Sequence, residues 1–166
     1  MKLLRNLALA AITAVATMSP AMARIEEGTG DLLKLLSENG IHVTINEVCD
    51  GTYHGQYRWI GMKREMHLCP GDTVDADDHD TVRHEAIHAI QHCVNVARGT
   101  HTDTPVMDID TLVKNVNEYL SSDRVDWIKT TYPEDQWATE LEANLMAQMS
   151  TSTEIAEFFK EACVGG

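Results

Sequence analysis

The pattern of apolar and polar positions divides the chain at about residue 23. Residues 7–18 form an apolar run broken only by Thr13 and Thr17, and nothing so continuous recurs later. Beyond it the pattern turns periodic. Leu32, Leu33, Leu35 and Leu36 put an apolar side on a short helix over residues 31–38, which Gly40 stops. Ile41, Val43 and Ile45 alternate with His42, Thr44 and Asn46, the period of a half-buried strand. Residues 57–60 and 65–69 predict two more short strands joined by a turn over Gly61, Met62, Lys63 and Arg64. A helix over residues 81–96 follows, with Val82, Ala86, Ala89, Ile90, Cys93 and Ala97 in one stripe. Three helical stretches come next: residues 111–120, capped by Asp108 or Asp110; a short one over 125–129; and 133–149, with Pro133 in its first turn. Residues 153–162 complete the set, with Ile155, Phe158 and Phe159 turned inward and Cys163 at the end. The pattern predicts an α+β fold: a small, mostly antiparallel sheet, then a central helix, then a C-terminal helical subdomain.

The N-terminal 23 residues fit an export signal. Lys2 and Arg5 precede the apolar run, and Pro20 and Ala21-Met22-Ala23 supply a cleavage site. The run is too short to span a membrane comfortably, so no membrane insertion is expected after cleavage. Residues 24–166 then make one domain, with helix and sheet in 24–78 and helices in 79–166. Removing the signal takes away two basic residues and no acidic one, which moves the net charge from −13 to −15. A surface of that sign repels nucleic acid and anionic lipid. All four cysteines lie in the exported part, an even number for an oxidising compartment. Cys49 and Cys69 close the first and last strands, so we expect them to pair, leaving Cys93 with Cys163. No CxxC spacing favours a cysteine-bound metal instead. The acidic stretch Asp72, Asp75, Asp77, Asp78 and Asp80 lacks the glycine and terminal glutamate of a calcium loop. It reads as a loop whose carboxylates start the helix after it.

Chemistry concentrates in His84-Glu85-Ala86-Ile87-His88. Two histidines four apart on a helix share a face, so both can direct a ring nitrogen at one ion. Glu85 stands beside that ion, where it can act as a base towards water activated by the metal. His84, Glu85, His88 and His92 all lie off the apolar stripe. Zinc needs a third protein ligand. His92 fails on distance, since eight residues of straight helix span about 12 Å. Glu140, in Glu140-Leu141-Glu142-Ala143-Asn144, is the better candidate, because Ala143 and Ala147 share its face and small residues let helices approach closely. Glu142 is the alternative. It lies nearer the apolar side, where a glutamate is costly unless bound to something.

An HExxH motif followed by a glutamate in ExxA resembles the gluzincin metallopeptidases. The run Glu140 to Asn144 is also similar to the ExEAN element of ImmA/IrrE-type peptidases. The resemblance implies zinc held by His84, His88 and Glu140, with Glu85 as general base. It also implies a peptide or protein substrate bound as an added strand along the sheet edge, with Met66, His67 and Leu68 as contact candidates. His101, Tyr132 and His54 are candidate donors to the oxyanion of the transition state. The expected function is a secreted or periplasmic zinc metallopeptidase. The alternative is a catalytically silent, zinc-stabilised binding or host-interaction module. Neither the natural substrate nor the oligomeric state follows from the sequence.

Overall fold

The structure, a computed structural model, describes residues 28–45, 49, 53–69, 76–100 and 104–164. Residues 1–27, which include the expected export signal, and Asp72, Asp75 and His101 lie outside the described residues. Among those described, the order is α1 (Thr29–Glu38), β1 (Ile41–Ile45), β2 (Gly55–Ile60), β3 (Lys63–Leu68), α2 (Ala76–Ala97), α3 (Ile109–Tyr119), α4 (Ser122–Thr131), a 3-10 turn (Glu134–Gln136), α5 (Trp137–Met149), α6 (Ser152–Phe159) and a π turn (Lys160–Val164). The architecture is α+β and mostly helical, with one three-stranded sheet.

The sheet is mixed, which corrects the expected mostly antiparallel arrangement. Its order is β1-β3-β2, with β2 antiparallel to β3 and β1 parallel to it. Gly61 has φ of 63° and closes a two-residue turn between the paired Ile60 and Lys63. Glycine reaches that left-handed region without steric cost. Register places Ile45, Gly55 and Leu68 at one end of the sheet, so β2 runs back from the end where β1 stops and the hairpin lays β3 between them. Cys49 and Cys69 follow the ends of the two parallel strands, and their disulfide spans 5.7 Å between Cα atoms. The same topology corrects the substrate-edge assignment. Met66, His67 and Leu68 belong to the central strand, paired on both sides, and among the described residues the edge strands are β1 and β2.

Helix α2 starts at Ala76, five residues earlier than its apolar stripe predicts, so Asp77, Asp78 and Asp80 lie in its opening turns and not in a loop. Carboxylates suit the positive end of a helix dipole, which makes an acidic run a good helix start. The helix is the axis of the molecule. Its Val82, Ala86, Ile87, Ala89, Ile90 and Val94 are buried with Leu32 and Leu36 of α1, Ile41 of β1, Met66 and Leu68 of β3, Ala143 of α5, and Ile155 and Phe159 of α6. A second cluster joins Met107, Leu112, Val116 and Leu120 around α3 to Leu145 of α5. Helix α5 thus faces two cores, Ala143 towards α2 and Leu145 towards α3. After Phe159 the backbone widens into the π turn that carries Cys163, whose disulfide to Cys93 of α2 spans 5.4 Å between Cα atoms. None of the described helices is long and apolar enough to cross a membrane.

Candidate metal centre

Residues His84 and His88 rise from one face of α2, and α5 delivers Glu140 opposite them. Nε2 of His84 lies 3.0 Å from Nε2 of His88. The Glu140 carboxylate gives one oxygen to each ring: Oε2 is 3.3 Å from His84 and Oε1 is 3.4 Å from His88. Three ligands held ~2.0–2.2 Å from one tetrahedral ion stand about 3.3–3.6 Å apart, so the triangle is close to one face of such a site. Oε2 of Glu140 is moreover buried without a hydrogen bond of good geometry. A buried oxygen in that state calls for a cation. The donor chemistry and the spacing both fit, and the group could hold a metal ion. The side chains of His84 and His88 keep 16% and 15% exposure, so the cluster is open to a small molecule.

Without metal, charge is shared within the cluster. Burial disfavours the imidazolium of His88, but the hydrogen bond to Glu140 and the charges of Glu85 and Glu140 outweigh it and lift the pKa to about 9. Burial likewise disfavours the Glu140 carboxylate, and the two histidines overcome it, taking its pKa down to about 2. The phenol of Tyr132 is held protonated well above its usual range, first by burial and then by the charges of Glu140 and Glu85. Tyr132 therefore borders the cluster as a hydrogen-bond donor. His54, by contrast, is exposed and lies at the rim of an apolar pocket with Thr29, Leu33, Ile45 and Leu68.

The two glutamates of α5 have different work. Glu142 takes no place in the cluster. Its Oε1 accepts the Met107 amide at 2.6 Å and its Oε2 accepts the Val106 amide and the Gln91 side chain, both at 2.8 Å. Gln91 also donates to the Thr139 carbonyl at 3.0 Å, and its Oε1 meets His88 Nδ1 at 2.7 Å. With Nδ1–H donated to Gln91, the Nε2 lone pair of His88 is left for the cluster. Gln91 escaped the sequence reading, although an amide on the buried side of an apolar helix, one turn from His88, is a visible signal. His92 is not in the cluster either; its ring packs at a tilt against Trp59 at 4.4 Å between centroids and lies 6.1 Å from Tyr57.

One residue on from His84, Glu85 turns towards the sheet. It is buried, and its Oε2 accepts the backbone N–H of Tyr57 at 2.6 Å. Ile60 and Lys63 close the hairpin, and the Cys69 amide donates to the His54 carbonyl, so the ladder alternates and the amides of Gly55, Tyr57 and Trp59 face away from β3. The β2 edge is therefore the one beside the cluster. Gly55 is the second residue missed from the sequence; glycine inside a strand marks close approach by another group. No family model matches this chain, and neither the curated proteins nor the solved structures contain a match to it.

Proposed function

We propose that the chain is an exported zinc-dependent peptidase, and the observation that carries this reading is the juxtaposition of the His84, His88 and Glu140 triangle with the buried carboxylate of Glu85. Two imidazoles and one carboxylate with a position left open are the donor set of a catalytic zinc. When bound there, zinc supplies a Lewis acid for the scissile carbonyl and lowers the pKa of water towards ~7. Glu85 accepts the proton of the attacking water at its carboxylate and returns it to the leaving amine, so one water and one peptide bond become a carboxylate and an ammonium once the new acid's proton has also passed to the amine. Tyr132 directs its phenolic proton at the developing oxyanion. With the Tyr57 amide held by Glu85, the remaining outward backbone groups of β2, towards Trp59, receive the substrate as an added strand. Two disulfides agree with an oxidising compartment outside the cytoplasm, as the signal-like residues 1–23 require.

One observation favours the second reading, a metal-stabilised binding module: Glu85 is already engaged by the Tyr57 amide, as a purely structural carboxylate would be. Cleavage of a mixed peptide library by the mature protein and by Glu85→Gln separates the two. The peptidase reading expects equal zinc content and a loss of cleavage of at least a thousandfold in the variant. Zinc-loaded wild type that cleaves nothing would establish the binding module.

A further inference from the structure

Strand β2 approaches Glu85 at two points. The Tyr57 amide donates to Oε2 at 2.6 Å. Two residues earlier, Gly55 lies so close that a Cβ there would stand 2.9 Å from Glu85 Cγ and 3.1 Å from Oε1, and would also collide with Thr81 Cγ2. Real Cβ atoms essentially never come within 3.0 Å of such neighbours, and Glu85 is only 5% exposed, so its side chain has little room to retreat. The amide contact comes from the edge of the strand that faces away from β3. Neither contact uses a ladder bond to β3.

We propose that Gly55 and the Tyr57 amide form a cradle that positions Glu85 for proton transfer, with Gly55 as a positioning residue for the base. The proposal rests on the peptidase reading. A glycine within a strand costs roughly 0.5–1 kcal/mol relative to alanine, and here the missing side chain leaves the space that Glu85 occupies. The hydrogen bond fixes one carboxylate oxygen, so the other is held in a single orientation rather than sampling several rotamers. Misplacing a catalytic group by about 1 Å can cost roughly a hundredfold in rate. The cradle also ties the base to the strand that receives the substrate, so substrate register and base position are set by the same backbone.

The test uses the mature, disulfide-bonded protein and four measurements: folding by circular dichroism, zinc affinity by chelator competition, the amide resonance of Tyr57 in the metal-free state, and steady-state cleavage. Gly55→Ala is made in a Thr81→Ser background, which removes the colliding methyl group, and is compared with Thr81→Ser alone. We expect zinc affinity within threefold, hydrogen exchange of the Tyr57 amide at least tenfold faster, and kcat at least tenfold lower with KM within twofold. If Gly55→Ala does not fold, Tyr57→Pro takes its place: it deletes the donor that Glu85 accepts, which takes no part in the ladder to β3, and the same drop in kcat at retained zinc is expected. A folded, zinc-loaded variant with unchanged kcat overturns the proposal. So does a Tyr57 amide that does not respond to Gly55→Ala. If the amide responds while wild type cleaves no peptide, the peptidase reading fails, and the contact is a structural tether instead.

Discussion

Glu140 and Glu142 are two residues apart on α5, and two steps of a helix turn a side chain by about 200°. That rotation sends one carboxylate to the imidazoles of α2 and the other to the amides of Val106 and Met107. Both are buried, so burial alone does not tell them apart; their partners do. Glu140→Gln removes the anion from the triangle, and chelator competition is expected to show zinc binding weakened by at least a hundredfold. Protonation gives a second measure. At pH 7 a pKa of about 9 leaves His88 charged in the metal-free protein, so a metal ion bound there would displace that proton. Calorimetry in two buffers of different ionisation enthalpy should find close to one proton released at pH 7 and almost none above pH 10. The sign for stability follows from the same shifts. His88 is raised from 6.5 to about 9, so its contribution is complete below 6.5 and fades as pH rises through about 9. Glu140 is lowered from 4.5 to about 2, so its contribution is complete above 4.5 and fades as pH falls through about 2. Metal-free protein should therefore lose stability in urea between pH 6.5 and 9.

Between elements, the amide and carboxylate of Gln91 and Glu142 act as a joint. They connect His88 on α2, the Thr139 carbonyl on α5 and the segment 104–107 that leads into α3. Burial raises the pKa of Glu142, and its bonds to Gln91 and the two amides oppose that rise. Glu142→Gln keeps the shape but replaces one acceptor oxygen with a donor that faces amide hydrogens. Groups that orient a metal-bound histidine typically contribute 10–100-fold in affinity. We expect zinc affinity to fall by about tenfold in this variant, less than in Glu140→Gln, with faster amide exchange at Val106 and Met107. The order of the elements was readable from periodicity because each presents one apolar side, and boundaries moved by a few residues where polar residues were compatible with helix. Acidic Asp77, Asp78 and Asp80 read as loop by composition, yet they open α2.

Across the whole molecule, the two disulfides fasten different things. Cys49–Cys69 joins the ends of the parallel strands, over a separation of 20 residues. Cys93–Cys163 ties the C-terminal turn to the central helix over 70 residues and closes the main core around Ile155 and Phe159. Loop-closure entropy grows with the length enclosed, to roughly 3 kcal/mol for the shorter loop and about 4 kcal/mol for the longer. Urea unfolding of the Cys93→Ala/Cys163→Ala variant should therefore show a loss of about 4 kcal/mol, with zinc affinity little changed in the folded state.

Sequence by itself determined the features that depend on neighbours along the chain. HExxH places two imidazoles on one face because four residues make about one helical turn. Alternation marks β1, and Gly61 marks the hairpin. The tertiary structure decided whatever depends on which surfaces meet. It placed β3 in the middle of the sheet, moving the edge by the cluster from Met66, His67 and Leu68 to β2, because strand order is not written in the period of any one strand. The cysteine positions held that information in latent form. Run antiparallel, two strands of about five residues would set their C-terminal ends roughly 16 Å apart, so a disulfide between residues that follow those ends favours the parallel arrangement. The choice of Glu140 over Glu142, the Gln91 link and the approach of Gly55 to Glu85 were likewise settled only by packing, since each depends on the rotation of one helix against another or against a strand.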